Sequence, residues 1–443
     1  MLAGLVAGAV VGPVVRATEG PAWARGRTTV GGRVTLHVPW PLGAIDPHRI
    51  DDGAAAILGE ALFDTLYARD AGGAFVPVLA ESEPELDGGT LKVNVRGGLK
   101  TARGHVLDAR DVAFSIARAR AAGGRAWLAE VPPPRVDGKS TLLFASKDPT
   151  KLVRALASPL LAVVPNNFTP TWPDGTGPFR AERRADGLLL QRNPLAARGP
   201  AFLDEVFVRP SGDLAESLRA FETGADDVGW LGMGLHEPRP GAKPFDAGHV
   251  GWALLFTGRD VAGFDAPGVA QRLCDELPPQ RLSYLALGAP WPTETGQGWG
   301  GPPSTIIVRD DCPWLVELAR SVAAILSRPS HEIVAKPVAP PELAQRRGSR
   351  NFPLAIDFAR PLAHGTLGAL VALATADNPG AAEDTVKHPP RLGDVPVRTL
   401  TRSMRAGVIG EVRVQGGRVP DLSLATSVAG LGLDLASTTR GRK

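Results

Sequence analysis

Cysteine is nearly missing from this chain: Cys274 and Cys312 are the only two in 443 residues. There is no Cys-x-x-Cys, no His-Glu-x-x-His and no Gly-x-Ser-x-Gly, so the common metal-site and hydrolase signatures are excluded. The eight histidines (His37, His48, His105, His236, His249, His331, His364 and His388) contain no helical i,i+4 pair, so no metal-binding helix face is expected. Gly138-Lys139-Ser140 ends like a phosphate-binding loop, but Pro133 stands where the required earlier glycine belongs. No block of five or six like charges occurs and the net charge is only +3, which argues against a nucleic-acid partner. Beyond the N-terminus no long apolar run exists, so the mature chain is expected to be soluble.

What is present is an ordinary globular composition, 44% hydrophobic and 21% charged, in a chain long enough for two or three domains. Met1 to Val15 is apolar and reads as the hydrophobic core of a secretory signal. Ala22-Trp23-Ala24 supplies a small-x-small cleavage site, so residues 1–24 are taken as a signal segment. No Lys or Arg precedes the apolar run, which departs from the usual pattern and leaves the start site open. No cysteine lies near that site, so a lipid anchor is not expected. In an exported chain Cys274 and Cys312 form a candidate disulfide; two buried free thiols are the alternative. A bond between them would close a loop of about forty residues and stabilise by roughly 3–4 kcal/mol in the chain-entropy model.

Strand and helix patterns alternate along the chain, which predicts an α/β architecture. Arg33 to Pro39 alternates as a strand. Asp51 or Asp52 then caps a helix running through Tyr67, with Ile57, Leu58, Ala61, Leu62 and Leu66 on one face. Leu91, Val93 and Val95 alternate strictly, and Asp108 opens a helix. Further strands are expected over Ser304 to Val308, His331 to Lys336 and Asn351 to Phe358, with a helix from Pro313 to Leu326.

Several segments carry a more specific pattern. Gly175-Thr-Gly-Pro-Phe179 precedes the alternating Gly187-Leu-Leu-Leu-Gln-Arg-Asn-Pro194; glycines at this spacing are expected to permit backbone angles closed to other residues. Before it come Leu42-Gly-Ala-Ile-Asp-Pro47, Leu62-Phe-Asp-Thr-Leu66 and Asp111-Val-Ala-Phe-Ser115. After it come Phe221-Glu-Thr-Gly-Ala-Asp-Asp227 and Val269-Ala-Gln-Arg-Leu-Cys-Asp-Glu-Leu277. In this order the segments resemble the family 5 extracellular solute-binding proteins, the binding components of oligopeptide, dipeptide and nickel importers. The resemblance covers roughly residues 33 to 360 and fades beyond, where the chain is short for the family's long helical segment.

The resemblance implies a large two-lobed periplasmic-binding-protein fold (type II, family 5 type) with an extra domain in the first lobe. Two chain crossings, rather than a single continuous sheet, would join the lobes. Domain I would comprise 30–45, 165–250 and 396–440, domain II 46–164, and domain III, the second ligand-binding lobe, 251–395. It implies a monomeric, non-enzymatic protein without a cofactor, periplasmic or extracellular, that captures a small solute between lobes and delivers it to ABC permease subunits. The alternative is a family-derived sensor, chaperone or interaction protein that has lost conventional peptide binding.

Ligand sites in clefts are apolar with a few polar anchors. The expected contact residues are therefore aromatics at strand ends and crossovers: Trp40, Trp230, Met233, Trp252 and Phe358, with Trp291 and Trp299 from a Gly/Pro-rich loop. Core packing is the competing role for each tryptophan. The Asp226-Asp227 pair is read as ending a strand and hydrogen-bonding the backbone rather than doing acid–base work. Peptide-binding members hold the peptide ammonium with an Asp in the loop after a second-lobe strand. Here that loop reads Ala359-Arg-Pro-Leu-Ala-His364, which leaves Arg360 and His364 as cationic candidates and Asp357 as the one substitute acid.

Overall fold

The computed structural model describes residues 30–212, 214–230, 239–282, 285, 287–288, 296–363, 365–389, 396–427 and 432–441. The signal segment, Met233, Trp291 and His364 lie outside them. The chain enters on β1 (Arg33–Val38), followed by α1 (Gly53–Leu62) and the hairpin β2 (Tyr67–Arg69) and β3 (Phe75–Pro77). Next come β4 (Glu85–Asp87), β5 (Thr90–Asn94), α2 (Ala109–Ala119), β6 (Arg135–Asp137), β7 (Thr141–Phe144) and α3 (Pro149–Leu156). These four strands make a separate antiparallel sheet in the order β4-β5-β7-β6. The chain continues through β8 (Phe179–Arg184), β9 (Gly187–Arg192), β10 (Glu205–Pro210), α4 (Leu214–Glu222), β11 (Val228–Trp230) and the long β12 (Lys243–Thr257). It then passes α5 (Val269–Asp275), α6 (Pro279–Leu282), β13 (Leu287–Gly288), β14 (Ser304–Arg309), α7 (Pro313–Leu326), β15 (Ile333–Val338), α8 (Pro340–Ser349) and β16 (Leu354–Ala359). The last part holds α9 (Gly365–Asp377), α10 (Pro379–Lys387), α11 (Val397–Leu400), the long β17 (Ala406–Arg418) and a hairpin of β18 (Leu422–Thr426) and β19 (Leu433–Arg440).

One curled sheet of eleven strands runs through the molecule in the order β15-β14-β16-β12-β17-β11-β1-β10-β9-β8, with β13 beside β17. This corrects the expectation that the lobes would not share a ladder. The crossings are themselves strands: β12 and β17 each extend across both halves and pair antiparallel, with register shifts between Asp246 and His249 and between Ala253 and Leu254. Such bulges bend a ladder without ending it.

The sheet is packed on both faces. Along β12, Ala253 and Leu255 join one apolar core, with Val34, Leu36 and Leu315. The alternate residues Trp252, Leu254 and Phe256 join a second core with Leu91, Leu142, Val371 and Leu373. Period-2 alternation with both sets apolar is what a strand buried on two sides requires.

Two sequence expectations are corrected here. Helix α1 is capped by Asp52, whose carboxylate accepts Ala55 N at 2.8 Å, but it ends at Leu62 rather than at Tyr67, which starts β2. The reason is a competing donor: Gly177 N bonds Leu62 O at 3.1 Å and the incoming segment occupies the next turn. The candidate disulfide is not formed. Cys274 on α5 and Cys312 at the start of α7 are both free and buried. The Cys312 thiol lies 3.5 Å from Pro39 O, and burial pushes its pKa up to about 12.

Candidate functional site

The Gly-Thr-Gly-Pro-Phe segment does not need unusual backbone angles; neither Gly175 nor Gly177 has a positive φ. The glycines are required for close approach. A Cβ on Gly175 would stand 2.4 Å from Leu62 O, and one on Gly177 would stand 2.4 Å from the Leu62 carbonyl carbon. Asn193 locks the segment by donating Nδ2–H to Gly177 O at 2.8 Å. Thr176, held between the glycines, donates to Asp64 Oδ2 at 2.8 Å. The other Asp64 oxygen takes Arg198 Nε at 2.6 Å. The most distinctive motif of the sequence thus fixes an acid and a base just past the end of α1.

Both line a cavity of about 260 Å³. Its walls come from α1 (Ala55, Ala56, Gly59, Glu60), the β2–β3 hairpin (Ala68, Phe75), α3 (Arg154), the segment after β16 (Arg360, Pro361, Ala363) and the C-terminal hairpin (Ser427, Asp434). Eleven of the 26 lining residues are alanine, glycine or proline, and seven are charged. The volume falls just below the roughly 300–1,000 Å³ usual for small-molecule sites.

Arg360 is the key group. It is 3% exposed, and its Nε is buried without a hydrogen-bond partner. One terminal nitrogen donates to Pro47 O, and Nη1 stands 4.0 Å from where a Cβ on Gly59 would lie. Burial pulls its pKa down to about 10, opposed by the charges of Asp52, Asp46 and Asp51. It forms no ion pair among the described residues, whereas a buried charge is normally paired. Glu60, also in the lining, accepts Ser427 Oγ at 3.0 Å, and burial raises its pKa.

Beneath Arg360 lies a rigid polar network. Arg118 clamps Asp46 through two bonds of 2.6 and 2.7 Å and donates to His48 Nδ1 at 2.9 Å. His48 Nε2 then donates to Ala162 O at 2.8 Å, so the ring is a neutral tautomer. Burial holds its pKa at about 4. The Asp-Val-x-Phe-Ser segment stitches this region together: Asp111 accepts Asn166 N at 2.9 Å, and Ser115 accepts Val164 N at 2.9 Å.

Of the described residues selected from sequence, only Arg360 lines the cavity. Trp40 packs against Trp314 and Phe358 at 5.4 and 4.8 Å between ring centroids. Trp230 donates to Arg413 O at 3.0 Å, and Trp252 lies against His249 at 5.6 Å. Trp299 sits on Phe264 at 4.3 Å and donates to Pro302 O at 2.8 Å. All four tryptophans and Phe358 are buried away from the cavity, and the indole Nε1 of Trp40 and of Trp252 has no hydrogen-bond partner among the described residues. Asp357 is paired with Arg347 and accepts Phe358 N at 2.9 Å, which leaves it occupied rather than free for a ligand. Asp227 accepts Thr35 N at 2.9 Å, the backbone-binding role expected of the acid pair. Glu60, Gly59 and Arg154 were missed. Gly59 and Glu60 sit inside an amphipathic helix pattern, and nothing local marks them as facing a cavity.

Two halves sharing a curled sheet, with a cavity lined from several elements, define the large two-lobed periplasmic-binding-protein fold. Residues 74–235 match the family model "Bacterial extracellular solute-binding proteins, family 5 Middle", and the chain has the fold of that family. The oligopeptide-binding protein AppA from Bacillus subtilis, solved with a nonapeptide, superposes with a TM-score of 0.70 at 14% identity, over 94% of this chain and 100% of that one. NikA from Staphylococcus aureus, solved with Ni(L-His)2, gives 0.66 at 15% identity, over 92% and 99%. DppA from Helicobacter pylori, solved with peptide STSA, gives 0.66 at 16% identity, over 94% and 99%. No curated protein matches the chain in sequence. The resemblance carried by the motifs is therefore borne out. Among the described residues no helix is long and apolar enough to cross a membrane.

Proposed function

We propose that this protein is an extracytoplasmic solute-binding component of an ABC importer, acting as a monomer after removal of residues 1–24. It captures a small solute in the cavity between its lobes and presents the closed form to membrane permease subunits. The proposal keeps the division read from the sequence: 30–45, 165–250 and 396–440; 46–164; and 251–395. The work is differential binding, because a ligand touching both halves favours the closed state.

The observation that carries this reading is Arg360, a buried guanidinium with an unpartnered nitrogen, lining a cavity formed by α1, the segment after β16 and the C-terminal hairpin. It stands in the loop where the peptide-binding relatives are expected to carry an acid. An ammonium placed there would meet a cation and lose its counter-charge, a cost of several kcal/mol. Unmodified di- to pentapeptides are therefore expected to bind weakly, and solutes presenting a neutral or anionic group to Arg360 to bind well. The test is a thermal-shift screen of peptides, metals, sugars and amino acids, followed by calorimetric titration of a mixed peptide library. A stabilising small solute with weak peptide binding supports the proposal. Submicromolar binding of free-amine peptides, lost in Asp357→Asn, would establish a conventional peptide receptor instead.

A further inference from the structure

The cavity is not uniformly cationic. Arg360, Arg154 and Arg69, none of which forms an ion pair among the described residues, contribute positive charge. Glu60 and Asp434 contribute negative charge from α1 and the C-terminal hairpin. These opposite charges do not neutralise one another. The charges of Asp52, Asp46 and Asp51 oppose the burial of Arg360, and no ion pair joins Arg360 to Glu60 or Asp434 among the described residues. Glu60 in turn feels Arg198, whose guanidinium is already bonded to Asp64, together with the repulsion of Asp434 and Asp64. Its hydrogen-bond partner is a neutral hydroxyl, Ser427 Oγ at 3.0 Å. A carboxylate in that setting gains from an incoming cation, just as the unpartnered Nε of Arg360 gains from an incoming anion.

Resting on the solute-binding reading above, we infer that the ligand is an amino-acid-sized zwitterion, its anionic group on Arg360 and its cationic group on Glu60 beside Asp434. The cavity volume of about 260 Å³ sets the size. Two further features fit. Gly59 leaves open the space next to Arg360 Nη1, which a side chain at that position would enter. The polarity is the reverse of an ammonium anchored in the loop after β16: here that loop takes the anion, and helix α1 takes the cation. The small volume adds to the charge barrier against longer peptides.

The test uses the full chain and a series of ω-amino acids from glycine to 6-aminohexanoate, with the carboxylate and the amine of each chain length as singly charged counterparts. Calorimetric titration should find a chain length whose zwitterion binds at least tenfold more tightly than either counterpart. Glu60→Gln should lower the zwitterion to the level of its carboxylate. Arg360→Met should abolish carboxylate and zwitterion binding together, and circular dichroism melts would verify that both variants fold. Carboxylates that bind as well as zwitterions, or a Glu60→Gln variant with unchanged affinity, would overturn the zwitterion assignment while leaving a solute-binding protein. Failure of every compound in this series and in the broader solute screen would overturn both.

Discussion

The tryptophan seam and the cavity are neighbours built on opposite terms. Around Trp40, large rings fill every space: Trp314 and Phe358 pack on it, and a Cβ on Gly53 would fall 2.3 Å from its indole. Around Arg360, small residues leave space: Ala55, Gly59 and Ala363 line a void, and charged groups face it with incomplete partners. The difference teaches where recognition resides in this molecule. Under the proposed function, aromatic residues at the strand crossings form the frame, and the solute is assigned to helix α1 and the loop after β16.

That contrast is sharpened most strongly at the seam. Trp40→Ala removes a 2%-exposed indole from a closely packed cluster, and a loss of about 3–5 kcal/mol is expected. Chemical denaturation measures it. A loss below about 1 kcal/mol would mean that the ring faces free space, as a ligand platform would.

Acid should strike the network beneath Arg360. The folded-state pKa of His48 lies at about 4 against an ordinary 6.5 because the ring is buried. Its contribution is fully present above pH 6.5 and is lost as pH falls from 6.5 towards 4, where the unfolded chain binds the proton first, a total of roughly 3 kcal/mol. Asp52 works in the other direction, since burial raises its pKa to about 6, and its protonation favours the folded state between about pH 6 and 4. Comparing denaturation midpoints of the wild type and His48→Gln across pH 4–7 separates the two. The variant should lose the acid sensitivity owed to His48, and identical pH profiles would refute the assignment.

The Gly-Thr-Gly segment ranks next. Gly177→Ala places a methyl group 2.4 Å from backbone of α1, and overpacking of this kind costs about 1–3 kcal/mol. Because Thr176 holds Asp64, the same change should also weaken solute binding. A neutral substitution would show that the segment can withdraw from α1.

The fold was legible in the sequence to a large degree. Alternation along Arg33–Val38 and Leu91–Val95, the Asp108 cap, and the order of the glycine and aspartate segments all depend on local chemistry that survives without tertiary information. The cavity was not legible. Alanine and glycine in α1 read equally well as helix core, and Glu60 reads as a solvated position. Only the meeting of α1, the loop after β16 and the C-terminal hairpin turns them into walls. Arg360 was the exception, because a cation in a loop where an acid is expected is visible without coordinates. The end of α1 was misjudged for the same reason the cavity was missed. The donor that stops it, Gly177 N, lies more than a hundred residues away along the chain.

The most direct measurement is on Gly59→Leu. Glycine within a helix is unfavourable by up to about 1 kcal/mol, so the variant should melt at or slightly above the wild-type temperature while its new side chain fills the space beside Arg360. If the cavity is the solute site, every ω-amino acid or screened solute that stabilises the wild type should leave this variant's melting temperature unchanged. A solute that stabilises Gly59→Leu as much as the wild type would place recognition elsewhere on the molecule and contradict the central claim.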